Sequence, residues 1–394
     1  MRVLHLAPPP DRSDRLTAHS FIDEEIVALG DAGVECLTLP VAARGEWRDR
    51  GEAIAFALRH APSLATPLRV APFETLYAVR LELAAARLIR ERGVDLVHSH
   101  FGWPAGFGGA LAASVARVPL VASLRGMDLL SAPDIGYGLR RSRSYDAALG
   151  GLLRTAARTV YATEYMRRQG IAAGAPADRA TLVRKGVDLD RFHPGASHTD
   201  VPIVLAVGSL SPRKNLRLVL DALARVGDLC WRFVVVGDGS ERGALEAHAT
   251  ALGIQDRVRF AGAIDRGAIG PYFADAAVFV HAAVMEAAGN VILEALAAGC
   301  PVVCTDAGGP TEYVRDGATG FVVSPGDAAA MAGRLRQLLT NPALRCSMAH
   351  TARQSAEHEF AYERMIREVI QIYGAVLAAQ NVSRSRYVCL TLQS

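Results

Sequence analysis

Short apolar runs alternate with longer segments of helical periodicity along this chain of 394 residues. In the first half, the apolar runs predict buried strands at 2–7, 35–39, 94–100, 119–124 and 159–163. Helical patterns predict helices over 18–32 and 76–92 and a glycine-rich helix start within 102–116, whereas 40–75 shows no regular pattern. This alternation is typical of parallel sheets flanked by helices.

The same rhythm restarts after 182–202, a stretch with prolines, glycines and no periodicity that we interpret as a linker. The predicted strands of the second half are 202–208, 232–237, 257–262, 277–282, 301–305 and 320–323. The predicted helices are 213–226, 240–252, 290–299, 327–340, 343–357 and 361–380. Two α/β halves joined by a hinge predict a cleft, and ligands of parallel sheets bind at the carboxyl ends of the strands.

Composition and charge exclude several classes of protein. Hydrophobic residues make up 51% and charged residues 21% of the chain, as in globular proteins. The net charge of +3 is too small to predict a nucleic-acid partner, although the slightly basic first half is compatible with peripheral contact to an anionic membrane. The apolar runs are too short to cross a bilayer, and the six cysteines lack metal-ligand spacing. We expect a cytoplasmic protein. A location at the inner face of the plasma membrane is compatible with this expectation.

Two acids in the second half suggest a site for a phosphorylated ligand. Glu286 precedes a loop of small residues, and Glu294 lies inside the helix that follows, in an E-x7-E spacing. A helix N-terminus favours a phosphate because its backbone N–H groups and its dipole face the anion. The spacing alone is more typical of an ordinary loop acid at Glu286 and an ordinary helix-surface acid at Glu294.

Two cations add to this pattern. Gly208 ends a predicted strand, and Arg213 and Lys214 follow at the predicted start of a helix. Cations are unfavourable at that end of a helix unless an anion offsets them. Only two of the 43 basic residues are lysines, and Lys214 is one of them. The alternative is a solvated helix start.

Other nucleotide and hydrolase motifs fail. Gly237 and Gly239 form a G-x-G, but Arg242 occupies the position of the third glycine of a dinucleotide fingerprint. The chain lacks a phosphate-binding P-loop and a G-x-S-x-G nucleophile elbow. His98, His100 and His281 lie on predicted strands, where we expect packed rather than metal-ligating side chains.

The motifs together resemble the large retaining glycosyltransferase family with the GT-B fold, two facing Rossmann-like domains, whose hallmark is E-x7-E. The resemblance covers nearly the whole chain and rests on VGSLSPRKN, VVVGDGSERGALEAHATALGIQDRVRFAGAI and EAAGNVILEALAAGCPVVCTDAGGPTEYVRDGATGFVV. In the first half, SFIDEEIVAL, DLVHSHFG and RGMDLL resemble members that assemble bacterial polysaccharides.

The resemblance implies an acceptor-side domain at 1–190 and a nucleotide-sugar-binding domain at 191–360. It further implies a helix at 361–380 that crosses back to the first domain, with a tail at 381–394. The resemblance assigns catalytic roles to Glu286, Lys214 and Arg125, and acceptor-side roles to His100 and Asp128. Donor binding is implied for Ser209, Arg213, Lys214, Gly262, Glu286, Gly289, Asn290, Val291 and Glu294.

Within this set, Lys214 would bind the donor diphosphate, Glu294 the ribose hydroxyls and Glu286 the donor sugar. Three departures stand out. Ser209 replaces an arginine, the loop after Glu286 reads A-A-G, and Arg125 replaces the family's usual histidine. Arginine is permanently charged and only donates, so Arg125 could instead bind an anionic group.

The implied activity is transfer of a sugar, with retention, from a UDP- or GDP-linked donor to a hydroxyl of a lipid-linked or growing saccharide. The resemblance implies no metal or other cofactor. Two alternatives remain open. One is a nucleotide-sugar-binding protein without catalysis, and the other is a synthase that uses a sugar-phosphate acceptor.

Overall fold

Two parallel β-sheets of six strands each form the framework of the part of the chain that the structure describes. The structure is a computed structural model that describes residues 1–7, 19–40, 72–140, 143–195 and 200–391. Each sheet belongs to its own compact unit. In the described residues, the first unit contains the chain up to Val183 and from Ile366 onward, and the second contains Arg184–Met365.

The first sheet has the strand order β2-β1-β3-β4-β5-β6, with all neighbours parallel. Its strands are β1 (Arg2–Ala7), β2 (Glu35–Pro40), β3 (Leu96–His100), β4 (Leu120–Leu124), β5 (Arg158–Tyr161) and β6 (Ala180–Leu182). Strands β3 and β4 are both buried along their whole length. The mostly apolar sequence of β4 is typical of such a strand, whereas β3 also buries the polar residues His98, Ser99 and His100.

Helices connect these strands. They are α1 (His19–Asp31), α2 (Pro72–Arg92), α3 (Phe107–Ala116), α4 (Arg143–Thr155) and α5 (Glu164–Ala172). The five strands predicted from the first half are confirmed, whereas β6, α4 and α5 were not predicted. Adjacent glycines at 150 and 151 weaken the helical signal of α4. Most of the segment expected to be irregular lies outside the described residues, at 41–71.

The second sheet has the order β12-β11-β10-β7-β8-β9, again with parallel neighbours. Its strands are β7 (Ile203–Val207), β8 (Arg232–Val236), β9 (Val258–Gly262), β10 (Val278–His281), β11 (Val302–Thr305) and β12 (Gly320–Val323). All six were predicted from the sequence. Val204, Phe233 and Leu335 are fully buried in the apolar core that this sheet shares with its helices.

The helices of the second unit are α6 (Leu216–Ala224), α7 (Arg242–Ala251), α8 (Gly270–Ala274), α9 (Asn290–Ala297), α10 (Ala328–Thr340) and α11 (Pro342–Glu359). The helix predicted from residue 213 begins later than expected. Asn215 has a left-handed backbone, with φ of 48°, and separates a short 3₁₀ turn at Pro212–Lys214 from α6. Arg213 and Lys214 therefore lie in this turn and not at the start of the α-helix.

The segment interpreted as a linker is in part a folded element of the second unit. Phe192 is fully buried, and Val187 forms a bridge with Ala361. Arg353 of α11 donates to the backbone carbonyls of Phe192 and Ala297, at 2.9 and 2.8 Å. One guanidinium thus fixes this segment to the end of α9.

The last helix, α12 (Tyr362–Thr391), contributes to both units, because the boundary between them lies between Met365 and Ile366. Tyr373 of this helix is fully buried in the first unit and makes a hydrogen bond of 2.6 Å with His98 of β3. In the described part of the chain, every helix is too short or too polar to cross a membrane.

Gly320 provides a test of the second sheet. A Cβ atom at this position would lie 2.0 Å from the Val302 carbonyl oxygen, which belongs to the neighbouring strand. We expect Gly320→Ala to lower the free energy of unfolding by about 1–3 kcal/mol, because the backbone must shift. Thermal and urea unfolding of the purified protein measure the change.

Gly333→Ala is the control for this substitution. Gly333 lies in α10, and a Cβ atom added there would meet open space, so alanine should be neutral or stabilise by up to about 1 kcal/mol. Equal stability of the two variants would contradict the strand packing described above.

Candidate functional site

The turn after β7 positions the two cations that the sequence singled out. Gly208 has φ of +148°, and a Cβ atom there would lie 3.4 Å from Cε of Lys214. That distance is an ordinary van der Waals contact, so the positive φ, rather than a lack of space, favours glycine in this turn. Ser209 follows, with its hydroxyl 3.5 Å from that of Ser211. The 3₁₀ turn then directs Arg213 and Lys214 toward the loop after β10.

That loop carries Glu286 and is held by backbone hydrogen bonds. The Glu286 N–H donates to the Ala307 carbonyl at 2.8 Å, and the Gly309 N–H donates to the Glu286 carbonyl at 3.1 Å. A Cβ atom on Gly309 would lie 2.0 Å from the Ala287 carbonyl oxygen. Only glycine allows the two loops to approach this closely, so Gly309 helps to fix the position of Glu286.

One oxygen of Glu286 binds both cations. Lys214 Nζ lies 2.5 Å and Arg213 Nη1 lies 2.8 Å from Glu286 Oε2. Arg213 also donates to the Met285 carbonyl at 3.2 Å, and His281 Nε2 lies 3.4 Å from the same carboxylate oxygen. All four side chains that meet at this oxygen are at most one-fifth exposed.

Burial and charge set the protonation of this cluster. Burial acts to raise the pKa of Glu286, but Lys214 and Arg213 outweigh it and hold that pKa well below its usual range. Burial also lowers the pKa of Lys214, although the Glu286 carboxylate opposes the shift. Burial and the charge of Lys214 lower the pKa of His281. Glu286 is therefore the anion of the cluster and His281 a neutral side chain at pH 7.

The loop leads into the N-terminus of α9. Gly289 has φ of +78°, a left-handed conformation that suits glycine, and α9 begins with Asn290 and Val291. The first backbone N–H groups of a helix have no partner within it and favour an anion. The residues for which the resemblance implies donor binding, Gly289, Asn290 and Val291, thus lie in the same loop–helix segment as Glu286.

Glu294, one turn further along α9, pairs with a different cation. Arg266 Nη1 lies 2.7 Å from Glu294 Oε1, and the Glu294 side chain is only 2% exposed. Arg266 begins a 3₁₀ turn at Arg266–Ala268, shortly after β9. The sequence analysis missed Arg266, because it lies outside the matched motifs. Strand β9 ends at Gly262, one of the residues implied in donor binding, which has φ of +77° and accepts a hydrogen bond of 2.8 Å from the Gly237 N–H.

The residues predicted in the first half meet in a separate network within the first unit. Arg125 follows β4, and its Nη2 lies 2.9 Å from Glu25 Oε2 and 2.7 Å from His100 Nδ1. His100 Nε2 in turn lies 3.2 Å from His5 Nδ1. Burial lowers the pKa of His5 to about 4 and that of His100 well below its usual value, so both rings are neutral at pH 7.

His5, His98 and His100 have the spacing of a metal site, since one ring nitrogen of each lies within 4.8 Å of the others. The hydrogen bonds argue for another arrangement. Arginine only donates, so Nδ1 of His100 accepts from Arg125 and the ring proton lies on Nε2. A metal on Nε2 would move that proton to Nδ1, against an N–H of Arg125. The ring nitrogens of His5 and His100 therefore fit a hydrogen-bonded chain with Arg125 rather than a metal site. This arrangement agrees with the expectation of packed histidine side chains.

Asp128 and His100, the acceptor-side candidates, are both fully buried. The Asp128 carboxylate accepts from the backbone N–H groups of Gly102, Arg125 and Gly126, at 2.7–3.2 Å. Burial raises its pKa, and these N–H groups oppose that rise. Asp128 thus shapes the loop that carries Arg125, and Arg125 itself is charge-paired with Glu25.

The two six-stranded parallel sheets with their helices make this an α/β protein, and two cations lie against the loop that leads into α9. The profile described as "Glycosyl transferases group 1" matches residues 190–355, and that described as "Glycosyltransferase Family 4" matches 20–191. The chain belongs to this glycosyltransferase family.

Two curated relatives illustrate the sequence similarity. The chain is 37% identical over 177 residues to the lipopolysaccharide core biosynthesis glycosyltransferase LpsE of Rhizobium meliloti (strain 1021), covering 45% of this chain and 51% of that protein. It is 32% identical over 310 residues to the D-inositol 3-phosphate glycosyltransferase of Streptomyces scabiei (strain 87.22), covering 72% of this chain and 68% of that protein. The chain thus spans about half the length of the first relative and two thirds of the second.

The crystal structure of Anabaena HepE in complex with UDP has the same fold. Its TM-score is 0.74 at 22% sequence identity, and the match covers 95% of this chain and 100% of HepE. This similarity confirms the GT-B fold that the sequence predicted.

The Arg125–Glu25 pair predicts a large stability effect in the first unit. Arg125→Ala removes the guanidinium beside a carboxylate that is 3% exposed. We expect a loss of about 3–5 kcal/mol in the free energy of unfolding. The double variant Glu25→Gln/Arg125→Met should recover most of this loss, because it removes both charges. Urea unfolding measures all three proteins.

Arg87→Ala is the matched control, because it breaks an exposed Arg–Glu pair on α2 in the same unit. That change should cost less than about 1 kcal/mol. A loss no larger for Arg125→Ala than for Arg87→Ala would show that the buried pair does not stabilise the unit.

Proposed function

We propose that the protein transfers a sugar, with retention of configuration, from a nucleoside-diphosphate sugar to a hydroxyl of a lipid-linked or growing saccharide. The observation that carries the proposal is the meeting of Arg213, Lys214 and Glu286 beside the N-terminus of α9. A pair of largely buried cations beside the N-terminus of another helix is suited to a diphosphate leaving group. UDP is the favoured nucleotide, because the structural relative HepE binds it.

In the proposed complex, the diphosphate takes the place of the Glu286 carboxylate on the two cations. Lys214 and Arg213 then stabilise the charge that develops on the leaving nucleoside diphosphate. Loss of one such donor typically raises the barrier by about 3–4 kcal/mol, a hundred- to thousandfold in rate. These two cations and the N–H groups of Asn290 and Val291 supply the stabilisation that a metal gives elsewhere, so we propose metal-independent transfer.

Glu286 is proposed to accept hydrogen bonds from the donor sugar once the diphosphate has replaced its carboxylate on the two cations. Its depressed pKa keeps it ionised and therefore an acceptor. No protein nucleophile is assigned, so attack by the acceptor hydroxyl on the face that the leaving group vacates accounts for retention. The leaving phosphate would take the hydroxyl proton in this step.

The acceptor proposed first is a saccharide. The names of the relatives point to two classes, a lipopolysaccharide core and inositol 3-phosphate. A phosphorylated acceptor is therefore the second candidate. The charge of Arg125 does not favour it, because Glu25 already offsets that charge. A saccharide acceptor remains the first choice, and location in the cytoplasm at the inner membrane face stays a prediction.

Transfer assays test the proposal. UDP-glucose, UDP-N-acetylglucosamine and GDP-mannose are each incubated with lipopolysaccharide core saccharide or inositol 3-phosphate, and release of nucleoside diphosphate is measured. We expect Lys214→Ala and Glu294→Gln to lower turnover at least tenfold with the fold intact. Near-wild-type turnover in both variants would contradict the site, and donor binding without transfer would favour a non-catalytic binding protein.

The Glu286 cluster yields a second, less obvious expectation. Because Glu286 neutralises the cations in the absence of ligand, Glu286→Gln should bind UDP about tenfold more tightly, a change of about 1.4 kcal/mol. Turnover should fall at least tenfold, because the donor sugar loses its acceptor. Calorimetric titration with UDP and initial rates measure the two effects.

Glu359→Gln is the control, since Glu359 pairs with Arg315 on the surface of the same unit. It should leave both UDP affinity and turnover unchanged. Weaker UDP binding by Glu286→Gln would contradict the competition between carboxylate and diphosphate.

A further inference from the structure

Arg266 is a buried cation of the second unit that the proposed transfer step does not use. Its guanidinium lies 2.7 Å from Glu294 Oε1, and its side chain is 18% exposed. The central guanidinium carbon lies 6.0 Å from the ring centroid of Phe192, at the outer limit of a cation–π contact. The position of Arg266 is thus defined on two sides.

The elements around Arg266 are themselves held in place. Phe192 is fully buried and packs edge-on against Phe273, with ring centroids 5.6 Å apart. Arg353 binds the carbonyls of Phe192 and Ala297, which fixes the segment before the second sheet to the end of α9. Arg266 therefore lies beside α9 and beside a segment that Arg353 ties to the end of that helix.

Because Glu294 is buried, its ionised form depends on the charge of Arg266. A carboxylate that is 2% exposed is costly to keep ionised unless a cation compensates it. An ionised carboxylate only accepts hydrogen bonds, which suits a ligand that presents two neighbouring hydroxyls. Arg266 holds one oxygen of this carboxylate by a charge-assisted hydrogen bond and restricts rotation of the whole group.

From this geometry we infer that Arg266 is a positioning residue that sets the preference of the site for a ribonucleotide over a deoxyribonucleotide. It acts through Glu294, by keeping the carboxylate ionised and oriented toward the vicinal diol of the ribose. The inference rests on the proposed function, because it takes the ligand to be a nucleoside diphosphate whose ribose meets Glu294. Arg266 is not required to touch the nucleotide.

The test compares UDP with 2′-deoxy-UDP by calorimetric titration. Both ligands carry the same base and diphosphate, so the ratio of their dissociation constants reports the ribose contact alone. Wild type should prefer UDP at least about tenfold, as expected for loss of a hydrogen bond to a charged group. Arg266→Gln should reduce this ratio to about threefold or less, and Arg266→Lys, which keeps the charge, should retain part of it.

The single variant Arg266→Gln leaves the Glu294 carboxylate without its cation and could therefore unfold. The double variant Arg266→Gln/Glu294→Gln avoids this problem, because it removes both charges together. The ratio of its dissociation constants for 2′-deoxy-UDP and UDP should equal that of Glu294→Gln alone, because Arg266 acts only through Glu294. A further fall in the double variant would show direct contact between Arg266 and the nucleotide and would overturn the inference.

Arg336→Gln is the matched control, since Arg336 forms an exposed pair with Asp228 in the same unit. It should keep the wild-type ratio. A full wild-type ratio in Arg266→Gln would overturn the inference while leaving the proposed function intact. Failure of wild type to bind UDP, GDP or their sugars would instead reject the proposed function, and equal binding of UDP and 2′-deoxy-UDP by wild type would reject the ribose contact.

Discussion

The ion pairing of Glu286 organises the second unit. Arg213 and Lys214 both bind one carboxylate oxygen of Glu286 in a largely buried position. Backbone hydrogen bonds of Glu286 hold its loop against the loop that contains Ala307 and Gly309. Separately, each charge would be costly to bury; together they compensate one another. Three local backbone features accompany this cluster: the positive φ of Gly208, the left-handed Asn215 and the close approach at Gly309.

Much of the fold follows from the sequence alone. Strands of parallel sheets are covered on both faces, so their apolar runs stand out, and all the predicted strands were found. The E-x7-E acids and the two cations were also identified, because their residue types are unusual at their positions. The predicted helix from 213 began too early, since helical periodicity does not reveal a left-handed residue such as Asn215.

What the sequence could not provide was pairing between distant elements. Arg266 meets Glu294 only because the turn after β9 and the helix after β10 lie close together in the fold. The histidine chain depends on register: β1 pairs with β3 so that His5 lies beside His98. The H-x-H spacing of His98 and His100 predicts that both rings lie on the same face of the sheet. The sequence around His5 contains no comparable pattern that would connect it to these two histidines.

The internal pairing of Glu286 also bears on selectivity in the cell. In the proposed complex, a diphosphate takes the place of the carboxylate on both cations, and the released carboxylate accepts hydrogen bonds from the donor sugar. A lone inorganic phosphate would meet cations that are already paired, rather than an open positive pocket. Binding is therefore proposed as an exchange of ion-pair partners, which favours ligands that carry a diphosphate.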